Sequence, residues 1–372
     1  MAITERYVSS SGTDTYANST NPATPMSLST ALTNMVAGDR INIKADGTYS
    51  RSATDTLTPD GTTTSPITLR GYTTTIGDAT LGRASGGFLD TTKMPVIAYG
   101  STFRLNAAGS TNIIFESLNI TSNVANSAVR INVESLLVNC KIDNASTSSS
   151  AVAIEGDVVT SQVISCDLSL SAGVASAKVI TTAGPVQYSR ITGGGGNGIE
   201  LASNPTAILG NVIYESAIGI RALTAASRSE IIGNTIANCT GDGIDIVTST
   251  TALVKIVGNH ITGCGGYGID FNASTCSKVL INNRFRDNTS GDINGGGDYQ
   301  TATNVLNQTS DDTDALDFTS QSTDDYSLLA TAAGARRGLS YLQNIGANGT
   351  QAASGGGGSA IQALSIPGVA IF

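Results

Sequence analysis

Between Ser229 and Gly297 the sequence repeats itself. SEIIGNTIANCTGDGIDI is followed by LVKIVGNHITGCGGYGIDF and then by SKVLINNRFRDNTSGDING. Each unit carries three short apolar stations. Station one holds Ile231, Ile256 and Leu280; station two, five residues on, holds Ile236, Ile261 and Phe285; station three holds Ile244, Ile269 and Ile293. The steps between units are 25 and 24 residues at station two. Station two continues backwards through Ile213, Ile191, Leu168, Ile142 and Ile120, and station one through Ile208, Val186, Val163, Leu137 and Phe115, always five residues ahead. Two columns held in fixed offset over eight units leave few folds open.

A unit this short, bounded by Gly and Asn and lacking a helical period, cannot bury its apolar residues alone and must stack on its neighbours. The expected architecture is all-β: a right-handed parallel β-helix, one coil per repeat. Strands in adjacent coils lie about 4.8 Å apart, so eight coils make a rod roughly 40 Å long. The 42 glycines and the 13% of charged residues suit many tight turns and a neutral polar surface. A net charge of −9 argues against nucleic acid or an anionic membrane as partner, since both need a basic face. No run approaches the roughly 18 apolar residues of a membrane span, so no membrane insertion is expected.

Residues 1–50 read as an entrance cap. Leu28, Leu32, Met35 and Val36 form an apolar stripe on a short helix closed by Gly38, and Ile41 and Ile43 alternate inward on the strand that follows. A helix across the open end covers exposed strand edges. Residues 51–297 are the helix body, with GRASGGFLDTTKMP expected to bulge from it. Residues 298–347 read as divergent closing coils. Residues 348–372 combine a Gly-rich linker with the apolar stretch AIQALSIPGVAIF, expected to dock on its own rod or on another subunit. The opening MAITERYVSS has neither a basic n-region nor an apolar core, so Sec export is not expected. Cys140 and Cys166, and likewise Cys239 and Cys264, are expected to stack on adjacent coils as buried free thiols.

The stretch RYVSSSGTDTYANSTNPATPMSLSTALTNMVAGDRINIKADGTYS, with the later SPITLRGY and GDATLGR, resembles the opening of right-handed β-helix proteins of the pectate-lyase-like superfamily. TDDYSLLATAAGARRGLSYLQNIGA is similar to the tail that closes such solenoids. The resemblance implies the fold. It also implies kinship with the β-helical rods of bacteriophage tailspikes, fibres and head decorations.

Two columns concern chemistry. Asn211, Asn234, Asn259 and Asn283 stand two residues before station two, preceded by Ser189, Cys166 and Cys140. Stacked amides can bond to one another and to corner backbone, and asparagine tolerates left-handed bends; this column is scaffold. The outward column after station three reads Glu200, Arg221, Asp245, Asp270 and Asn294, with Asp242 on the adjoining turn. Asp245 and Asp270 should lie about 5 Å apart, near the carboxylate spacing of retaining glycosidases, and could share a calcium ion. The competing expectation is a solvated charge ladder in which Arg221 neutralises Glu200 and Asp245.

CTGDGIDI is similar to a motif of polygalacturonase-type hydrolases, but Gly241 precedes Asp242 and no later paired-aspartate or Gly-His-Gly motif follows. The sole histidine, His260, is expected in a turn beside Asn259. GGGGNG at 193–198 opens no helix and is no phosphate loop. Tyr214 and Tyr267 are expected in turns, where with Glu200 they could contact a glycan. The leading expectation is a phage structural protein, needing no cofactor. It would assemble in the host cytoplasm into the virion with other virion proteins, as a homotrimer in the manner of spike relatives, and contact a host-surface polysaccharide. The alternatives are a polysaccharide lyase or glycoside hydrolase using Asp242, Asp245 and Asp270 with Arg221 or His260 assisting, and an extracellular bacterial surface adhesin.

Overall fold

The computed structural model describes residues 3–80, 89–156, 160–182, 184–201, 206–223, 228–247, 253–272, 276–281, 283–295, 318–320 and 325–328. Three parallel sheets of eleven, ten and ten strands run the length of a solenoid. Each coil contributes one strand to each sheet, and the sheets are numbered here by the station they carry. At station one, Ile208 pairs with Ile231, Ile231 with Ile256, and Ile256 with Leu280. At station two, Ile213, Ile236, Ile261 and Phe285 pair in succession. At station three, Ile220, Ile244, Ile269 and Ile293 do the same. The columns also run further back than the sequence suggested, to Leu69 and Ile41 in sheet 1 and to Ile97 and Tyr49 in sheet 2. The station side chains merge into one continuous apolar core.

At the entrance, the helix Leu28–Asn34 starts at Ser27, whose Oγ accepts the Thr30 N–H at 3.1 Å. Leu28, Ala31, Leu32 and Met35 are buried, whereas Val36 lies beyond the helix and is 55% exposed, so it does not belong to the stripe. Arg6 pairs with Ile41 in the first strand, where a further coil would need an apolar side chain. Its guanidinium sits 3.6 Å over the Tyr16 ring and bonds Asp39 at 3.2 Å. A charge at the rim keeps the last apolar layer from ending on bare surface.

The corner between sheets 1 and 2 is built by two adjacent residues with separate tasks. The first takes the left-handed conformation: Ser117, Asn139, Ser165, Tyr188, Gly210, Gly233 and Gly258 all have φ between 51° and 64°. The second is the ladder residue, so the ladder asparagines do not themselves make the bend, contrary to expectation. Their amides are committed elsewhere. Asn211 Nδ2 donates to Asn234 Oδ1 (3.0 Å), Asn234 Nδ2 to Asn259 Oδ1 (2.9 Å) and Asn259 Nδ2 to Asn283 Oδ1 (3.0 Å). Each Oδ1 also accepts the backbone N–H of the coil before, and each Nδ2 also reaches a station-one carbonyl, as Asn234 does at Ile208. Along Asn211–Asn283 the amides thereby satisfy backbone N–H and carbonyl groups that the turn frees.

A second column consists of glycines. Gly198, Gly219, Gly243 and Gly268 each precede a station-three isoleucine, and a Cβ on any of them would meet a backbone oxygen of the next coil at 2.5–2.7 Å. All five cysteines are buried free thiols. Cys239 is hydrogen-bonded to Cys264, which together with burial drives its pKa up, and burial beside Cys140 does the same to Cys166.

Beyond the body, Phe318–Ser320 and Asp325–Leu328 pair as a short antiparallel ribbon. The rest of the divergent coils, the Gly-rich linker and the apolar stretch 360–372 lie outside the described residues. So does the first half of the GRASGGFLDTTKMP insertion, residues 82–88.

Candidate functional site

The outward column of sheet 3 is a continuous ladder. Alternation along each strand turns the residue after every station isoleucine away from the core. Glu200 pairs with Arg221, Arg221 with Asp245, Asp245 with Asp270, and Asp270 with Asn294 on successive coils. Arg221 Nε bonds Asp245 Oδ2 at 3.2 Å. Arg221 does not neutralise Glu200. Glu200 takes Lys178 Nζ instead, at 3.0 Å, from the strand Lys178–Thr182. Lys178 was missed because the outward column was followed one residue past the station only. Two residues before Ile180, Lys178 pairs with Asn197 and reaches diagonally to Glu200.

Asp245 is the unusual member. It is only 5% exposed, and its Oδ1 is buried without a hydrogen-bond partner. Burial raises its pKa; Arg221 opposes the rise, and Asp242 and Asp270 add to it. Asp242 sits on the turn ahead of the strand Ile244–Ile246, its Oδ1 accepting the Tyr267 N–H at 2.7 Å. Its pKa is also raised by burial, with the Tyr267 bond opposing and Asp270 reinforcing. Gly266 makes room for this carboxylate, since a Cβ there would stand 2.2 Å from Asp242 Oδ1. Asp270 Oδ1 accepts from the Asn272 N–H (2.7 Å) and from Asn294 Nδ2 (3.1 Å). The site is therefore an acid held without solvation between a cation and two further carboxylates. Such a group can keep a proton at a pH where ordinary carboxyls have lost theirs.

That arrangement has a consequence for stability. A folded-state pKa above the unfolded one means the folded protein binds the proton more tightly. The associated stability is fully present below about pH 4 and is lost as pH rises through the raised value. Asp245→Asn is expected to flatten the decline of Tm as pH rises above about 4. Melting curves across that range check this; an unchanged slope would mean that Asp245 ionises as it would in water.

Of the other expected site residues, Tyr267 stays beside the cluster, half-buried at the start of the strand Tyr267–Asp270. Tyr214 does not. It ends the strand Val212–Tyr214 on the outside of sheet 2, is 3% exposed, and lies under the Arg190 guanidinium at 5.4 Å. It therefore offers no face to a sugar. His260 is not in a turn but opens the strand His260–Thr262 and is fully buried, which removes it as an assistant to the aspartates. Among the described residues no three His, Cys, Asp or Glu side chains converge into a group that could hold a metal ion.

The stacked coils define the class: a right-handed parallel β-helix. Residues 170–309 match the family described as a right-handed beta helix region. Among solved structures, the pectate lyase Pel9A superposes with a TM-score of 0.57 at 14% identity, over 93% of this chain and 96% of that one. A GH136 lacto-N-biosidase from Eubacterium ramulus gives 0.47 at 11% identity, over 82% and 67%. The PL6 family alginate lyase AlyGC gives 0.44 at 12% identity, over 78% and 40%. No curated protein matches the sequence.

Proposed function

We propose that this protein is a stiff rod that contacts a glycan along the outer face of sheet 3, centred on Asp245, and that it serves a bacteriophage particle as a spike, fibre or head decoration. The observation that carries the contact is the row of partly exposed polar side chains, Lys178, Arg221, Asn294 and Tyr267, that this ladder presents around the buried Asp245. Lys178 and Arg221, each with about a third of its side chain exposed, offer donors to sugar hydroxyls, and the half-buried Tyr267 ring offers an apolar face. The particle role is supported by the β-helix itself, whose kind resembles the rods of phage tailspikes, fibres and head decorations. Binding of the purified chain to a glycan array tests the contact. Arg221→Ala is expected to weaken the strongest signal at least ten-fold, about 1.4 kcal/mol; an array with no signal sinks the reading. Immunogold microscopy of phage particles tests the setting, with unlabelled particles as the adverse result.

The second reading, cleavage of a polysaccharide, is favoured by one observation. A carboxyl with a raised pKa stands in register with a carboxylate, Asp270, one coil away, which is the pairing acid-assisted glycoside hydrolysis uses. The Pel9A neighbour, a pectate lyase, adds the lyase variant of the same reading. Reducing-sugar and unsaturated-product assays on acidic polysaccharides separate the two. Product that disappears with Asp245→Asn in a folded protein would make the enzyme reading the right one.

A further inference from the structure

The outside of sheet 1 changes character partway along the rod. Near the entrance it is polar: Arg70 bonds Asn42 at 2.7 Å and Glu5 at 3.2 Å. From the strand Leu136–Val138 onward the same column becomes aliphatic. Val138, Ile164, Leu209, Ile232, Val257 and Ile281 follow one another on successive coils, interrupted only by Gln187. Each adjoins an inward station-one residue, so alternation points it outward, and none belongs to the core cluster. Most are half-buried. On one side the stripe is bordered by the Glu230–Lys255 ion pair (2.7 Å), which with Ser229 and Leu253 lines a cavity of about 200 Å³.

Contiguous apolar surface of this kind marks a contact. Its shape says what kind. Six coil steps at about 4.8 Å make the stripe about 29 Å long, yet it is one side chain wide. A lasting contact between two whole proteins covers about 800 Å² on each partner, which a strip this narrow does not offer. One extended segment does fit. This chain contains such a segment: AIQALSIPGVAIF, residues 360–372, has no charged side chain and follows a Gly/Ser run. Thirteen residues at about 3.3 Å each reach about 43 Å, enough to cover the stripe.

We propose that residues 360–372 dock along the aliphatic stripe on the outside of sheet 1. The docked segment covers Ile232 and its column neighbours, and Leu364, Ile366 and Phe372, which share one face of an extended chain, supply the matching apolar side chains. Hydrogen-exchange mass spectrometry on the full chain tests this, with solution mass measured alongside. Amides of 360–372 are expected to be protected, and Ile232→Lys is expected to speed their exchange at least ten-fold while coil peptides stay protected and the mass stays the same. Leu209→Lys provides an independent ladder variant should Ile232→Lys fail to fold. Leu364→Asp, which changes only the segment, should release it equally. Free exchange of 360–372 in the unaltered protein, or protection indifferent to both ladder variants, overturns the proposal. So does an oligomer that dissociates with Ile232→Lys while 360–372 exchanges freely, because the occupant would then be a second copy.

Discussion

Asn259→Leu is expected to destabilise the protein by about 4 kcal/mol or more, although leucine is more apolar and similar in size. Asn259 is fully buried and serves both neighbours. Its Oδ1 accepts from the Asn234 backbone N–H and from Asn234 Nδ2, each at 2.9 Å. Its Nδ2 donates to the Ile231 carbonyl at 2.9 Å and to Asn283 Oδ1 at 3.0 Å. Leucine leaves the Asn234 N–H and the Ile231 carbonyl buried and unpaired, at about 1–3 kcal/mol each, and strands the Asn234 amide as well. Urea denaturation measures the total. Because stability in a solenoid is summed over nearest neighbours, exchange should accelerate first in the coils around Ile231 and Leu280. A loss below about 1 kcal/mol would show that the ladder merely fills space.

Gly243→Ala should cost about 3 kcal/mol, at the top of the range for over-packed positions. The added methyl would lie 2.4 Å from Ile261 Cγ2 and 2.7 Å from the Gly268 carbonyl oxygen. Ile261 can turn aside a little, but the carbonyl belongs to the next coil's backbone and cannot. Gly233→Ala is the instructive contrast. Gly233 has φ of 64°, and no atom lies within 4 Å of the point where a methyl would stand, so alanine there suffers backbone strain alone, about 1 kcal/mol. Thermal melts of the two variants therefore separate crowding from conformation. Equal losses would contradict the packing account.

The stations were readable because an apolar period of 22–26 residues survives any variation in loop length, and the amide column was readable because its offset from station two is constant. The aliphatic stripe was not. Ile231–Ile232, Ile256–Val257 and Leu280–Ile281 are doublets, and a doublet does not say which member faces in. Tyr214 and His260 were misplaced for a related reason: both lie on the outside of sheet 2, where burial is decided by tertiary covering rather than by neighbours in sequence. At the acidic site the carboxylates and Arg221 were found by alignment. The Lys178–Glu200 pair is a diagonal contact between coils, which a column-by-column comparison passes over.

The coils between Gly198 and Asn283 are held to one another by the same two devices, an amide handed forward at one corner and a bare backbone contact at another. Evolution can therefore alter the protein's reach only in whole increments, adding or deleting one complete turn of about 4.8 Å. A partial insertion would break both devices at once, so surplus residues must be expelled into loops at the corners. Relatives of different length should differ by integral turns, with the spacing of surface groups along the axis conserved like marks on a ruler.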